Sequence, residues 1–193
     1  MLRSRLLFGS LALVAVSTLS VAAIRPVALF GQDMRPKQTE QHKQVQKSAG
    51  TWEGTLTMSM PGMDEPIETP AMEVIESLGD YWTTSRFECD FMGMPFIGVG
   101  NHGYDPQKEA FVGTWIDNMG TSIAMMEGNI DKDSGKLIMH WKGPDMSDPT
   151  STVDMRHEML WTDDSYTMEF FKGKTGGEPT MVISMHRKAG GGQ

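Results

Sequence analysis

The chain has 193 residues, 17 Lys+Arg against 25 Asp+Glu, a formal net charge of -8 and a single cysteine. A surface this acidic repels phosphate backbones and excludes nucleic acid as a natural partner, and one thiol excludes an intrachain disulfide. With a leader removed, the length suits one domain with a true hydrophobic core rather than two.

Residues 1–24 open with Arg3 and Arg5, run almost uncharged from Leu6 to Val16 and end in the small residues Val21, Ala22 and Ala23. Positive, apolar and small segments in that order predict a secretory signal peptide, and hence a periplasmic or secreted protein. The alternative is an uncleaved membrane anchor, because the apolar run approaches the length that spans a bilayer. Cys89 lies far from this leader, so no acylated cysteine follows a cleavage site. Without Arg3, Arg5 and Arg25 the remainder is more acidic still. Within residues 25–49, Gln32 to Ala49 is polar and rich in Gln and Lys, which predicts a linker and then a short helix near Thr39 to Ser48, ended by Gly50.

From Thr51 the apolar period becomes twofold, the mark of half-buried strands. Strands are predicted at Thr51 to Met60, Thr69 to Leu78, Tyr81 to Phe91, Phe96 to Tyr104 and Ala110 to Asp117. Five more are predicted at Thr121 to Ile130, Leu137 to Lys142, Thr152 to Trp161, Ser165 to Phe171 and Thr180 to Lys188. Short Gly-, Asp-, Asn- and Pro-containing turns separate them. No helix is long enough for a parallel crossover, so the strands must pair antiparallel. About ten strands with one wet face leave exposed edges unless they close. The predicted fold is therefore all-β, an antiparallel up-and-down barrel over residues 50–189, with a two-sheet sandwich as the alternative. Trp52, Leu56, Phe87, Phe96, Trp115, Met155, Trp161, Phe170 and Ile183 are expected inside.

Three stretches carry a resemblance: Gly50-Thr51-Trp52-Glu53-Gly54, Phe91-Met92-Gly93-Met94-Pro95-Phe96 leading to Gly103-Tyr104-Asp105, and Thr114-Trp115-Ile116-Asp117. Together they resemble the bacterial DUF1579 family of uncharacterised proteins, over about Glu40 to Lys188. The Gly-x-Trp element is also similar to one that closes an end of lipocalin-like and nitrobindin-like barrels. The resemblance implies a lipocalin-like barrel and no catalytic residue.

The candidate site follows from strand parity. His157 shares a face with Val153, Met155, Met159 and Trp161, and His102 shares one with Phe96, Gly98, Gly100 and Tyr104, so both imidazoles point inward. His140 and His186 fall on outward parities. The 18 methionines occur on nearly every strand, and flexible thioethers fill cores or line permissive apolar cavities. Candidate ligand-binding residues are Trp52, Met94, Phe96, His102, Trp115, Met155, His157 and Trp161. Asp131 to Lys136 lacks the Gly and Glu placement of a calcium loop. Asp145, Asp148 and Asp154 read as a solvated acidic loop. Cys89, between Phe87 and Phe91, reads as a small hydrophobe, and Glu73 and Glu76 lie on opposite faces of their strand. No nucleophile elbow, phosphate loop or dinucleotide fingerprint is present.

The leading reading is an exported binding protein, more a binder than an enzyme, that takes a small apolar molecule inside its barrel and needs no cofactor or metal. Two alternatives stand beside it. One is a haem-binding or redox enzyme using His157 and His102. The other is an envelope-associated interaction domain, membrane-bound only where the leader is retained.

Overall fold

The computed structural model describes residues 35–59, 62, 64–145 and 148–189. The expected leader, Met60 and the tip of the Asp145–Asp148 hairpin lie outside the described residues. The chain divides into two units, Met1–Pro36 and Lys37–Gln193, and the second holds every element below.

A single helix, α1 (Glu40–Gln46), precedes ten strands. They are β1 (Gly50–Met58), β2 (Ile67–Leu78), β3 (Trp82–Phe91), β4 (Met94–Asp105), β5 (Ala110–Asp117), β6 (Ala124–Ile130), β7 (Leu137–Asp145), β8 (Asp148–Trp161), β9 (Ser165–Lys172) and β10 (Met181–Arg187). Each strand pairs antiparallel with its neighbours in sequence, and β1 pairs with β10 to close the barrel. The fold is thus the expected lipocalin-like up-and-down barrel. No edge is left to template aggregation.

The turns follow local chemistry. Met92 and Gly93 both take positive φ, 55° and 84°, as a two-residue hairpin matched to strand twist requires. The Gly93 N–H donates to Asp90 Oδ1 at 2.6 Å. At the helix, Thr39 is the N-cap: its hydroxyl accepts from the His42 N–H, and the Thr39 N–H donates to His42 Nδ1 at 3.1 Å. This is a capping box with His where Glu or Gln is usual. Its cost is light, because the His42 ring is buried edge-on against Tyr81 and Tyr104.

The helix end of the barrel is sealed. Trp52 is 2% exposed, donates from Nε1 to the Ser48 carbonyl at 2.9 Å and packs edge-on to Tyr166. The Arg187 guanidinium lies 4.2 Å over the indole and donates to the carbonyls of Ala49 and Lys47 at 2.8 and 3.0 Å. A cation on the ring face and satisfied carbonyls past the helix end fix this floor. Above it, one core cluster spans β1, β2, β3, β9 and β10 around Leu56, Phe87 and Ile183. A second joins Val45 of α1 to Phe111, Met126, Leu137 and Met139. Trp115 and Trp161 pack against both clusters.

Two sequence expectations need correction. The sixth strand starts at Ala124 rather than Thr121, because the Asp117 carboxylate holds the N–H groups of Met119 and Gly120 in a turn. The acidic residues Asp145 and Asp154 belong to a paired hairpin rather than a loop. Lys172 lies 3.2 Å from Asp145, and Lys142 lies 3.4 Å from Asp154. The outer wall of β8 and β9 is also partly buried. Arg156 stacks 3.9 Å over Phe171 and donates to the Gly176 carbonyl at 2.9 Å, so the segment after β9 folds back over the sheet.

Truncating the floor should be expensive. Trp52→Ala is expected to lower unfolding free energy by about 3–5 kcal/mol, and Trp52→Phe by less, since only the Nε1 bond and part of the ring go. Urea unfolding measures this. A loss below about 1 kcal/mol for Trp52→Ala would mean that the floor is not a packed plug.

Candidate functional site

The interior changes character along the barrel axis. Inward residues near the helix end are buried: Trp52, Phe111, Met139 and Met185. Toward the opposite mouth, Met58, Phe96, Trp115, Met155, Phe170 and Met181 have the same inward parity, yet each keeps accessible surface. In a closed wall, an inward side chain keeps surface only where space adjoins it. Aromatic rings and thioethers therefore line this end of the barrel as a partly exposed apolar mouth, the funnel, several of them packed on the first core cluster.

Between floor and funnel lies a polar layer. Glu73 on β2, Thr83 and Ser85 on β3, His157 on β8 and Tyr166 on β9 are all buried, and His102 on β4 stands directly across from Thr83. Tyr166 Oη donates to Glu73 Oε2. Desolvation raises the pKa of Glu73 against the smaller, opposite effects of its Tyr166 and Ser85 neighbours. Desolvation, reinforced by Glu73, also holds Tyr166 well above its ordinary value. Burial thus disfavours ionisation of both the acid and the phenol that share this hydrogen bond.

Two close approaches shape the layer. A Cβ at Gly98 would overlap the Trp115 indole, so only glycine lets that ring lie flat on β4. At Gly100 the same atom would stand 2.7 Å from His102 Nε2 and 3.0 Å from Ser85 Oγ. The absence of a side chain there lets an imidazole and a hydroxyl converge over the strand.

Both histidines are neutral. Desolvation pushes His102 down to about 4. Desolvation first, then repulsion from His102 and His140, pushes His157 down to about 3. His102 combines this desolvation with residual accessible surface. His157 is packed between Trp141 and Phe170, with ring centroids 5.2 and 5.5 Å away.

Three buried polar atoms in the layer lack a partner: Thr83 Oγ1, Ser85 Oγ and His157 Nδ1. Ser85 comes close to the Glu73 carboxyl without hydrogen-bond geometry. Each such atom costs about 1–3 kcal/mol unless water or a ligand satisfies it.

The structure places the expected site residues at different levels. Phe96, Trp115 and Met155 line the funnel, and His102 and His157 stand in the layer below. Met94 is at the rim, 49% exposed, and Trp52 is in the floor. Trp161 lies in the lower half, half-buried between the two core clusters. Sequence reasoning missed Glu73, Thr83, Ser85 and Tyr166. Counting by twos from Phe87 would have placed Thr83 and Ser85 inside. Among the described residues no three His, Cys, Asp or Glu side chains converge as a metal set. Cys89 packs against the first core cluster, and burial, then the charge on Asp90, raise its pKa, as suits an unreactive thiol.

The family model described as "Protein of unknown function (DUF1579)" matches residues 37–188. No curated protein matches the chain. The chain belongs to the DUF1579 family, and the match spans the helix and all ten strands.

The neutral histidines give stability a predictable pH dependence. The unfolded chain takes up their protons near pH 6.5, whereas the folded chain resists until about pH 4 for His102 and 3 for His157. The histidines' contribution to stability is therefore complete above pH 6.5 and lost as pH falls below it, by up to about 1.4 kcal/mol per pH unit per histidine. Glu73 works in the opposite sense: its raised pKa removes stability as pH rises above 4.5. His157→Phe, which keeps the ring packing, should flatten the acid limb and leave stability at pH 7 equal or higher. Chemical denaturation across pH 4–7 checks this, and an unchanged acid slope would contradict the buried, neutral assignment.

Proposed function

We propose that this member of the DUF1579 family is a non-enzymatic binding protein whose barrel encloses a small, largely apolar molecule in its upper half. The observation that carries this reading is the residual exposure of inward-facing Phe96, Trp115 and Met155 within a closed wall. Barrel mouths are common sites for small ligands, and a few fixed polar groups at the base of an apolar pocket are their usual complement. Methionine suits the role, since its thioether adapts to varied shapes.

The haem reading has weaker support. His157 would have to leave two aromatic contacts before its ring could reach an iron. We further propose that the protein acts outside the cytoplasm, on the strength of the leader at residues 1–24. Mass spectrometry of protein from its native envelope tests this: a mature chain beginning near Ile24 supports export, and an intact Met1 in a membrane fraction supports an anchor.

Ligand capture is testable without knowing the ligand. The apolar fluorophore N-phenylnaphthylamine should bind the folded chain at one site with enhanced emission. Met155→Trp, which fills the funnel, should weaken binding at least about tenfold, as expected when a cavity is occupied, with little change in melting temperature. Unchanged binding in that variant, or no binding by the parent, would contradict an interior site.

A further inference from the structure

We infer that the ligand carries an uncharged hydrogen-bonding end group, a hydroxyl or a ketone, seated on the layer of Thr83, Ser85, His102 and His157, with its apolar body in the funnel above. This rests on the interior-site reading and adds the chemical class of the occupant.

The first argument is satisfaction. Thr83 and Ser85 are 1% and 2% exposed, His157 is 4% exposed, and all three leave a polar atom without a partner. Buried hydroxyls and imidazoles are rarely left so. They stand on inward positions of β3 and β8, at the base of the funnel. Hydroxyls both donate and accept, so this layer can meet either a carbonyl or an alcohol.

The second argument is charge. His102 and His157 are neutral over the ordinary pH range, and the Glu73 carboxyl is already engaged by the Tyr166 hydroxyl. Among the described residues, the cations on inward parities lie elsewhere. Arg187 is in the floor over Trp52, and Lys172 is at the rim with Asp145. A carboxylate or phosphate in the middle layer would lose its hydration and meet no countercharge, and an ammonium would find the Glu73 carboxyl already engaged by Tyr166. An uncharged end group suffers neither loss.

The third argument is geometry. Gly100 allows His102 Nε2 and Ser85 Oγ to close over β4, and Thr83 stands cross-strand from His102. Polar groups from adjacent strands thus meet in one place, which suits a single small end group rather than a polar face along the whole ligand.

Calorimetric titration of the full chain with octanol, octanoate and toluene at neutral pH tests the inference. Octanol should bind at least about tenfold more tightly than octanoate, since burying a carboxylate without a partner is far costlier than burying a hydroxyl. The double variant Thr83→Val, Ser85→Ala should weaken octanol about tenfold and leave toluene, which has no polar end, unchanged. Octanoate binding as tightly as octanol, or octanol indifferent to the double variant, would overturn the uncharged end group while leaving an interior site intact. If none of the three binds, the interior-site reading itself fails. Should the double variant not fold, the near-isosteric Thr83→Val alone and the parent's octanol-to-octanoate ratio still decide the matter.

Discussion

Pairing of the first strand with the last, from Trp52 opposite Arg187 to Met58 opposite Met181, turns a ten-strand meander into a wall without edges. Every inward side chain must then share one enclosed volume, and the two ends of that volume need separate solutions. At one end the chain spends its helix, Trp52 and the Arg187 guanidinium on a seal. At the other the described residues bring the wall to a rim bearing exposed Met92, Met94, Ile123 and Met125. The same closure that removes a sheet's aggregation hazard also creates an interior, and an interior this wide is either filled by side chains or kept for a guest.

The energetic profile of that interior is uneven in an instructive way. The lower half is packed as a core should be, with aromatic and aliphatic side chains in contact and the indole N–H of Trp52 satisfied. The middle layer instead holds a carboxyl, two imidazoles, two aliphatic hydroxyls and a phenol, all but the His102 ring buried, with three of their polar atoms unpartnered. Apolar residues of similar size would be more stable at those positions. Polar groups kept where they weaken the fold are characteristic of a site, where local stability is given up for recognition. The glycines at 98 and 100 fit this account, since each makes room for a neighbouring ring rather than shaping a turn.

The fold was legible because its signals are local: alternation sets the strands, and Gly, Asp and Pro clusters set the turns. Trp52, Leu56, Phe96 and His157 all took the side that counting by twos assigns. Legibility failed where alternation is ambiguous. In Ala71-Met72-Glu73-Val74-Ile75 the bulkier apolar residues Met72 and Val74 suggest one parity, while the structure buries Ala71 and Glu73. The burial of Glu73 depends on Tyr166, ninety-three positions away, which no local window reports. Arg156 misleads in the other direction. Its outward parity is right, but it is buried by Phe171 and by the segment folding back to Gly176. Small hydroxyls such as Thr83 and Ser85 carry little hydropathy signal on either face, so the layer they build emerges only once three strands are side by side.

The central claim is that the guest space lies in the upper interior, above the polar layer. It competes with a site on the surface, such as the groove of about 330 Å³ between α1 and the barrel base, lined by Glu40, Gln44, Tyr104 and Lys132 among others, or one of about 550 Å³ lined by Glu53, Pro70, Met72 and His186 among others. Chemical-shift mapping on isotope-labelled protein during titration with octanol separates the two. The account predicts that saturating shifts concentrate on the Met155 methyl, the Trp115 indole and the amides of Gly98, Gly100 and Thr83, with Gln44 and Lys132 unmoved. Shifts confined to α1, Tyr104 and Lys132, with the funnel residues silent, would contradict it.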